Sequence, residues 1–309
     1  MKVVVVGAGG FVGQRLSRLL AAQDQSISQL VLIDKTPFEP MPDARIRTVS
    51  GDFSDPDLMQ GEIGGASTVY LLASILGGAA EANYPMARQV NIDATLSLLE
   101  FLRDQNPQTR LVFASTIAVF SKPMPQTVTD ATPTGPTMVY GAQKLMMEVA
   151  ISNFAAKGWL DGVSLRLSGV MARDGADSRL KSAFMSRVFH AIARGEDIVL
   201  PVRPDSRTWL TSVETAARNF AHAGAISSAS LGRDRAFTLP ALHVSFEELV
   251  TALFQRFPES RSKVTYEPDS ELIALFGSYP TLRTELADRL GFSRDSDAQV
   301  LVSRSFEQN

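Results

Sequence analysis

Tyr140 and Lys144 stand four residues apart in an amphipathic stretch, Tyr140 to Ala156, so a phenol and an ammonium would share one face of one helix. A free tyrosine titrates near ~10, too high for a base at neutral pH, but a cation held beside it favours the phenolate. The pair could then serve as acid/base on a hydroxyl or carbonyl, although an ordinary surface Tyr/Lys pair has the same spacing. Thr116, 24 residues upstream at the end of an apolar run, adds a hydroxyl that could hydrogen-bond the reacting oxygen. Ser115 is its rival, because strand alternation turns only one of two neighbours toward a site.

A second group of residues points to a phosphate. Four valines, Val3 to Val6, run into Gly7, Gly10 and Gly13, the last close to the start of a helical pattern that includes Phe11 and Val12. Strand, glycine turn and helix start in that order let backbone approach a pyrophosphate, whose charge the helix N-terminus favours. Asp34 ends the next apolar run, 21 residues after Gly13, where a carboxylate could accept both ribose hydroxyls of adenosine and repel a 2′-phosphate. NAD is therefore expected over NADP, with the adjoining Lys35 leaving dual use open. Asp34 as a mere turn cap is the plain alternative.

Positioning these groups requires a parallel sheet. Short apolar runs at Val3–Val6, Leu30–Ile33, Ile46–Val49, Thr68–Leu72, Leu111–Ala114 and Val163–Leu167 alternate with helical stretches such as Phe11 to Ala22 and Val90 to Arg103. Asp55 before Pro56 supplies a cap and a first-turn proline for another helix. This βαβ repetition predicts an α/β fold, a Rossmann-like doubly wound parallel sheet over 1–167. Past 167 the alternation breaks at Gly169 and Gly175, followed by a helical-looking Ser178 to Arg194. Arg207 to Val213 and Ala236 to Leu239 could rejoin the sheet, so a return over about 205–240 is expected, with 168–204 and 241–309 as a smaller C-terminal substrate lobe.

Composition narrows the partners. Thirty Lys+Arg against 33 Asp+Glu give a net charge of −3, which offers no field to gather nucleic acid or an anionic membrane. No apolar run reaches the ~18 residues that span a bilayer, and the glycines in the Val3 to Val12 stretch count against a leader peptide. Zero cysteine excludes disulfides and thiolate chemistry, which fits a reducing cytoplasm. His190, His222 and His243 lack ligand spacing, so no metal is expected.

Together these marks resemble the extended short-chain dehydrogenase/reductase family, the NAD-dependent epimerases and dehydratases, over nearly the whole chain. The resemblance rests on Gly7-Ala-Gly-Gly-Phe-Val-Gly13, Gly51-Asp52, Leu71-Leu-Ala-Ser74, Asn91 ahead of Leu98-Leu99-Glu100, Phe113-Ala-Ser-Thr-Ile-Ala-Val-Phe120, and Tyr140 with Lys144. It implies that Asp52 and Phe53 contact adenine, that Leu72, Ala73 and Ser74 line the nicotinamide ribose, that Asn91 supports the site, and that Thr116 takes the family's catalytic Ser/Thr position. It implies that Lys144 holds both phenolate and ribose, and that the protein is a homodimer through helices near 90–105 and 140–156.

Within the family, Thr127-Val-Thr-Asp130, Leu165-Arg-Leu-Ser-Gly-Val170 and Pro204-Asp-Ser-Arg-Thr-Trp209 are similar to dehydrogenases that oxidise the C2 hydroxyl of a short sugar acid with NAD. Nucleotide-sugar enzymes usually carry an Asn after the sixth strand, where Gly169 stands. The enzyme rival is a nucleotide-sugar 4-epimerase or dehydratase, and the non-enzymatic one an NAD-binding sensor. Residues 166 to 207 hold seven Arg and one Lys against five carboxylates, which suits an anionic substrate. Arg207 is the first candidate to clamp its carboxylate and Arg173 the second, with Arg179 and Arg203 further off. Trp209 reads as core or pocket wall.

Overall fold

The computed structural model describes residues 1–173 and 181–307. The chain divides into two compact units. The first comprises 1–120, 134–167 and 217–238. The second comprises 121–133, 168–216 and 239–309.

The first unit is built on a seven-stranded sheet, all parallel, in the spatial order Ala236–Thr238, Asp161–Leu167, Arg110–Thr116, Thr68–Leu71, Lys2–Val6, Gln29–Asp34, Ile46–Ser50. The inner strands are apolar on both faces because helices cover both, and Val4, Val31, Val69, Leu111 and Val163 are wholly buried. The strand at 46–50 lies at the edge, with Ile46 and Val49 partly buried and Arg47, Thr48 and Ser50 exposed. Strand order reverses between Lys2–Val6 and Thr68–Leu71, the topological switch point at which doubly wound sheets open a crevice. Its helices include Phe11–Gln23, Ala94–Gln105 and Val139–Ala156, with Leu98, Leu99, Met147 and Ile151 packed into the core.

The second unit has a separate core around Val188, Phe189, Ile192, Leu249 and Leu253, from the helices Phe184–Arg194 and Phe246–Arg256. Ser245 and Glu248 close the latter helix with a reciprocal capping box. Arg207–Thr211 does not rejoin the parallel sheet. It pairs antiparallel with Leu242–Ser245 and parallel with Gly169–Val170 in a three-stranded sheet of its own. The segment 121–133, expected in the first unit, sorts with the second, where Thr127–Val128 pairs with Thr281–Leu282. Gly175, Ser178 and Arg179 lie outside the described residues, and the helix expected from Ser178 begins, within them, at Phe184. No described helix is long and apolar enough to cross a membrane.

Candidate active site

The glycine loop has little freedom for any other residue. Gly7 takes φ +89°, and a Cβ there would sit 2.6 Å from the backbone nitrogen of Ala73. A Cβ on Gly13 would fall 2.1 Å from the carbonyl oxygen of Gly7. Gly7 and Ala8 both donate to the Ile33 carbonyl at 2.8 and 3.1 Å, while Leu72 and Ala73 donate to Val6. Two loops are thereby drawn onto the C-terminal ends of adjacent strands. The helix Phe11–Gln23 starts there with Gly10 as N-cap, no side chain capping it and no acidic residue in its first turn. Its first amides and its dipole remain available to an anion.

Asp34 ends its strand beside this loop. Its carboxylate accepts from Gly9 N and Thr36 N, each at 3.0 Å, and is fixed against the loop. Asp52 accepts from the Ser54 amide and hydroxyl and pairs with Lys35 at 3.3 Å, which holds its carboxyl below the usual range. Phe53 is buried. A cradle without Cβ atoms, an uncapped helix start and a fixed carboxylate at the second strand's end fit an adenine dinucleotide with a free ribose diol.

The helix Val139–Ala156 brings Tyr140 and Lys144 to the end of Arg110–Thr116. Gly141 permits this approach, since a Cβ there would lie 2.2 Å from the Ala118 carbonyl oxygen. Ser74 and Thr116 stand beside the Tyr140 hydroxyl. Burial pushes its pKa up to about 12, and the neighbouring Ser74 and Thr116 hydroxyls oppose the rise. Lys144 is 1% exposed, with Nζ 4.4 Å from the Phe113 ring centroid and 5.8 Å from that of Tyr140. Burial pulls it down to about 7, and the charge of Glu148 opposes the fall. Desolvation thus dominates both groups, and the simple expectation of a cation lowering the phenol is not what sets the Tyr140 shift.

Ser115 and Thr116 point opposite ways. Ser115 Oγ donates to Glu148, whereas Thr116 Oγ1 accepts from Ala118 N at 3.1 Å and meets Tyr140. Asn91 does not reach the reacting pair. Its Oδ1 accepts from Ile75 N at 2.8 Å while Nδ2 donates to Ile75 O at 2.9 Å and Gln143 Oε1 at 2.8 Å, so it pins the segment that follows Leu72, Ala73 and Ser74. Three residues here were not singled out from sequence: Gln143, Glu148 and Arg166. Glu148 is four residues beyond Lys144 on one helical stripe, a spacing that would have found it. Arg166 meets Ser115 only through strand register, which sequence does not show.

In the second unit Arg207 is exposed, with Nη2 3.4 Å from Glu248 and Nη1 3.5 Å from the His243 carbonyl. Its charge is already partly answered. Arg173 is exposed, and Arg203 pairs with Asp205 at 3.0 Å. Trp209 is core, 1% exposed, donating to the Pro280 carbonyl at 2.7 Å. Lys122 was not foreseen: its buried Nζ has no hydrogen-bond partner and lies 3.7 Å from the Tyr279 ring centroid, and burial pulls it down to about 8.

With a dinucleotide cradle and a Tyr–Lys helix on one sheet, the chain belongs to the NAD dependent epimerase/dehydratase family, whose profile matches residues 3–229. It is an NAD-dependent oxidoreductase acting on CH–OH groups. It is 33% identical to a D-erythronate dehydrogenase of Haemophilus influenzae across 99% of both chains. A D-erythronate dehydrogenase of Cupriavidus necator is 31% identical over 99% of this chain and 98% of its own. A solved nucleoside-diphosphate-sugar epimerase from Agrobacterium tumefaciens superposes with TM-score 0.89 at 27% identity, covering 98% of this chain and 92% of that one.

Proposed function

We propose that the protein oxidises the C2 hydroxyl of D-erythronate, or a neighbouring short sugar acid, to the 2-keto acid, using Tyr140, Lys144 and Thr116. The observation that carries this reading is Thr116 beside the Tyr140 hydroxyl, one helical turn from a buried lysine, in a chain similar end to end to two D-erythronate dehydrogenases. Gly7, Gly10, Phe11, Val12 and Gly13 would hold the pyrophosphate, and Asp34 the adenosine ribose. Asp52 and Phe53 would flank adenine, with Leu72, Ala73 and Ser74 toward the nicotinamide end. Bound NAD supplies the acceptor for the hydrogen and electron pair leaving C2.

Thr116 holds the substrate oxygen by hydrogen bond, and Tyr140 Oη takes the hydroxyl proton as the carbonyl forms. Lys144, in its charged form, stabilises the phenolate. Ser115, held by Glu148, is the less suitable partner for the substrate. The negative substrate also needs a cation; Arg207 and Arg173 are the sequence candidates, and Arg207 would have to give up Glu248 to serve. Two copies would pair through the helices near 90–105 and 140–156, and the lack of cysteine suits the cytoplasm.

The test is a screen of four- to six-carbon aldonates with NAD, following NADH by absorbance. D-Erythronate should give NADH at saturating substrate. Turnover of a UDP- or GDP-sugar without net NADH, and none from any aldonate, would replace this reading with the epimerase one.

A further inference from the structure

Glu148 sits at the convergence of three elements and takes no part in the chemistry described so far. It is 2% exposed, on the Val139–Ala156 helix, eight residues beyond Tyr140 and four beyond Lys144. Ser115 Oγ, from Arg110–Thr116, donates to its Oε1. From Asp161–Leu167, Arg166 Nε lies 3.0 and 3.1 Å from the two carboxylate oxygens and Nη2 2.7 Å from Oε2, a bidentate pair. Ser115 and Arg166 are register partners on neighbouring strands, so one carboxylate ties both strands to the helix. The Arg166 guanidinium also lies 5.5 Å from the Phe120 ring centroid.

We infer that Glu148 is a positioning residue of the reaction: it turns Ser115 away, which leaves Thr116 toward Tyr140, and its charge favours the protonated form of the Lys144 side chain inside an apolar setting. The inference rests on Tyr140 and Lys144 being the acid/base pair. Its first half follows from alternation, since holding Ser115 on one face fixes Thr116 on the other. Its second half follows from placement. A buried ammonium between two aromatic rings loses its hydration, and a carboxylate one helical turn away on the same stripe is the anion nearest along its own helix.

The other charged groups on elements packed against this helix are engaged elsewhere. Glu81 accepts from Val139 N at the helix start. Arg88 pairs with Asp93 at 3.5 Å, and Arg103 with Asp104 at 2.8 Å. Arg110 pairs with Asp161 at the opposite end of their strands. Glu100 is exposed on Ala94–Gln105. That leaves Tyr140 and Glu148 as the titratable groups facing Lys144, with Arg166 paired to Glu148 and offsetting its charge.

The test follows the Lys144 ammonium by NMR in the full-length protein with isotope-labelled lysine, its signal assigned through Lys144→Met. Glu148→Gln, which keeps the shape and removes the charge, should lower the Lys144 titration midpoint by about one pH unit. Arg166→Gln, which removes the opposing cation, should raise it. A purely structural role predicts no such opposite pair of shifts, and absent or like-signed shifts would overturn the inference. Should Glu148→Gln fail to fold, Arg166→Gln decides alone: an upward shift supports the inference and no shift overturns it. Because the titration needs no substrate, a failure of the sugar-acid reading would show separately, as wild-type protein that makes no NADH from any aldonate.

Discussion

At the scale of single residues, Tyr140 and Lys144 carry opposite demands. Tyr140→Phe removes one hydroxyl, so turnover should fall by about 10²–10⁴-fold while NAD binding, measured by fluorescence titration, stays near wild type. Retention of more than about a tenth of kcat would mean that another group is the base. Lys144 costs stability for its role. Burial takes its folded pKa down to about 7 from 10.5, so between those values the unfolded chain holds a proton that the folded one has released. Stability therefore rises with pH across that window, and the penalty of the buried ammonium is complete below it. Lys144→Met should raise stability by about 2 kcal/mol at pH 6 and abolish turnover, with the gain shrinking toward pH 10 in denaturant melts. An equal gain at both pH values would show that charge is not the cause. The Tyr–Lys spacing was legible in sequence, and Glu148, which opposes the Lys144 shift, continues the same helical stripe.

At the scale of elements, the strands were readable wherever both faces are buried, because a run such as Val3 to Val6 can only be an inner strand. Partnership was not readable. Arg207–Thr211 is as buried as a sheet strand from Thr208 to Thr211, yet it pairs with Leu242–Ser245 and Gly169–Val170 rather than with Asp161–Leu167. Hydrophobicity reports burial and says nothing about which neighbour supplies it. The glycine turn, by contrast, was legible to the residue, because close backbone approach admits no side chain. Gly13→Ala must push a methyl group into the Gly7 carbonyl, 2.1 Å away, and a backbone oxygen cannot step aside as a side chain can. We expect loss of measurable NAD affinity with a lower Tm. Gly61→Ala, with nothing within 4 Å of its Cβ, should change neither. Unaltered NAD binding in Gly13→Ala would remove this loop from the cofactor site.

At the scale of the whole molecule, the chain has two units with separate cores, and the first leaves an apolar face uncovered. The Val139–Ala156 helix buries Met147 and Ile151 against its own sheet, yet Met146 is 52% and Val149 63% exposed on its other side. Tyr84 and Met86 are exposed on Tyr84–Arg88, which packs beside it. A helix that is apolar on opposite sides is built to be covered on both. A second copy is the occupant proposed for that face, since the helix holding Tyr140 and Lys144 would then be clamped from behind. Wild-type protein at micromolar concentration should scatter light as a dimer. Met146→Lys with Val149→Glu should leave a folded monomer, because neither side chain enters the core, and turnover should fall with dimer dissociation as the helix loses its support. A wild-type monomer would exclude this assembly, and a dimer indifferent to both substitutions would move its interface to another face.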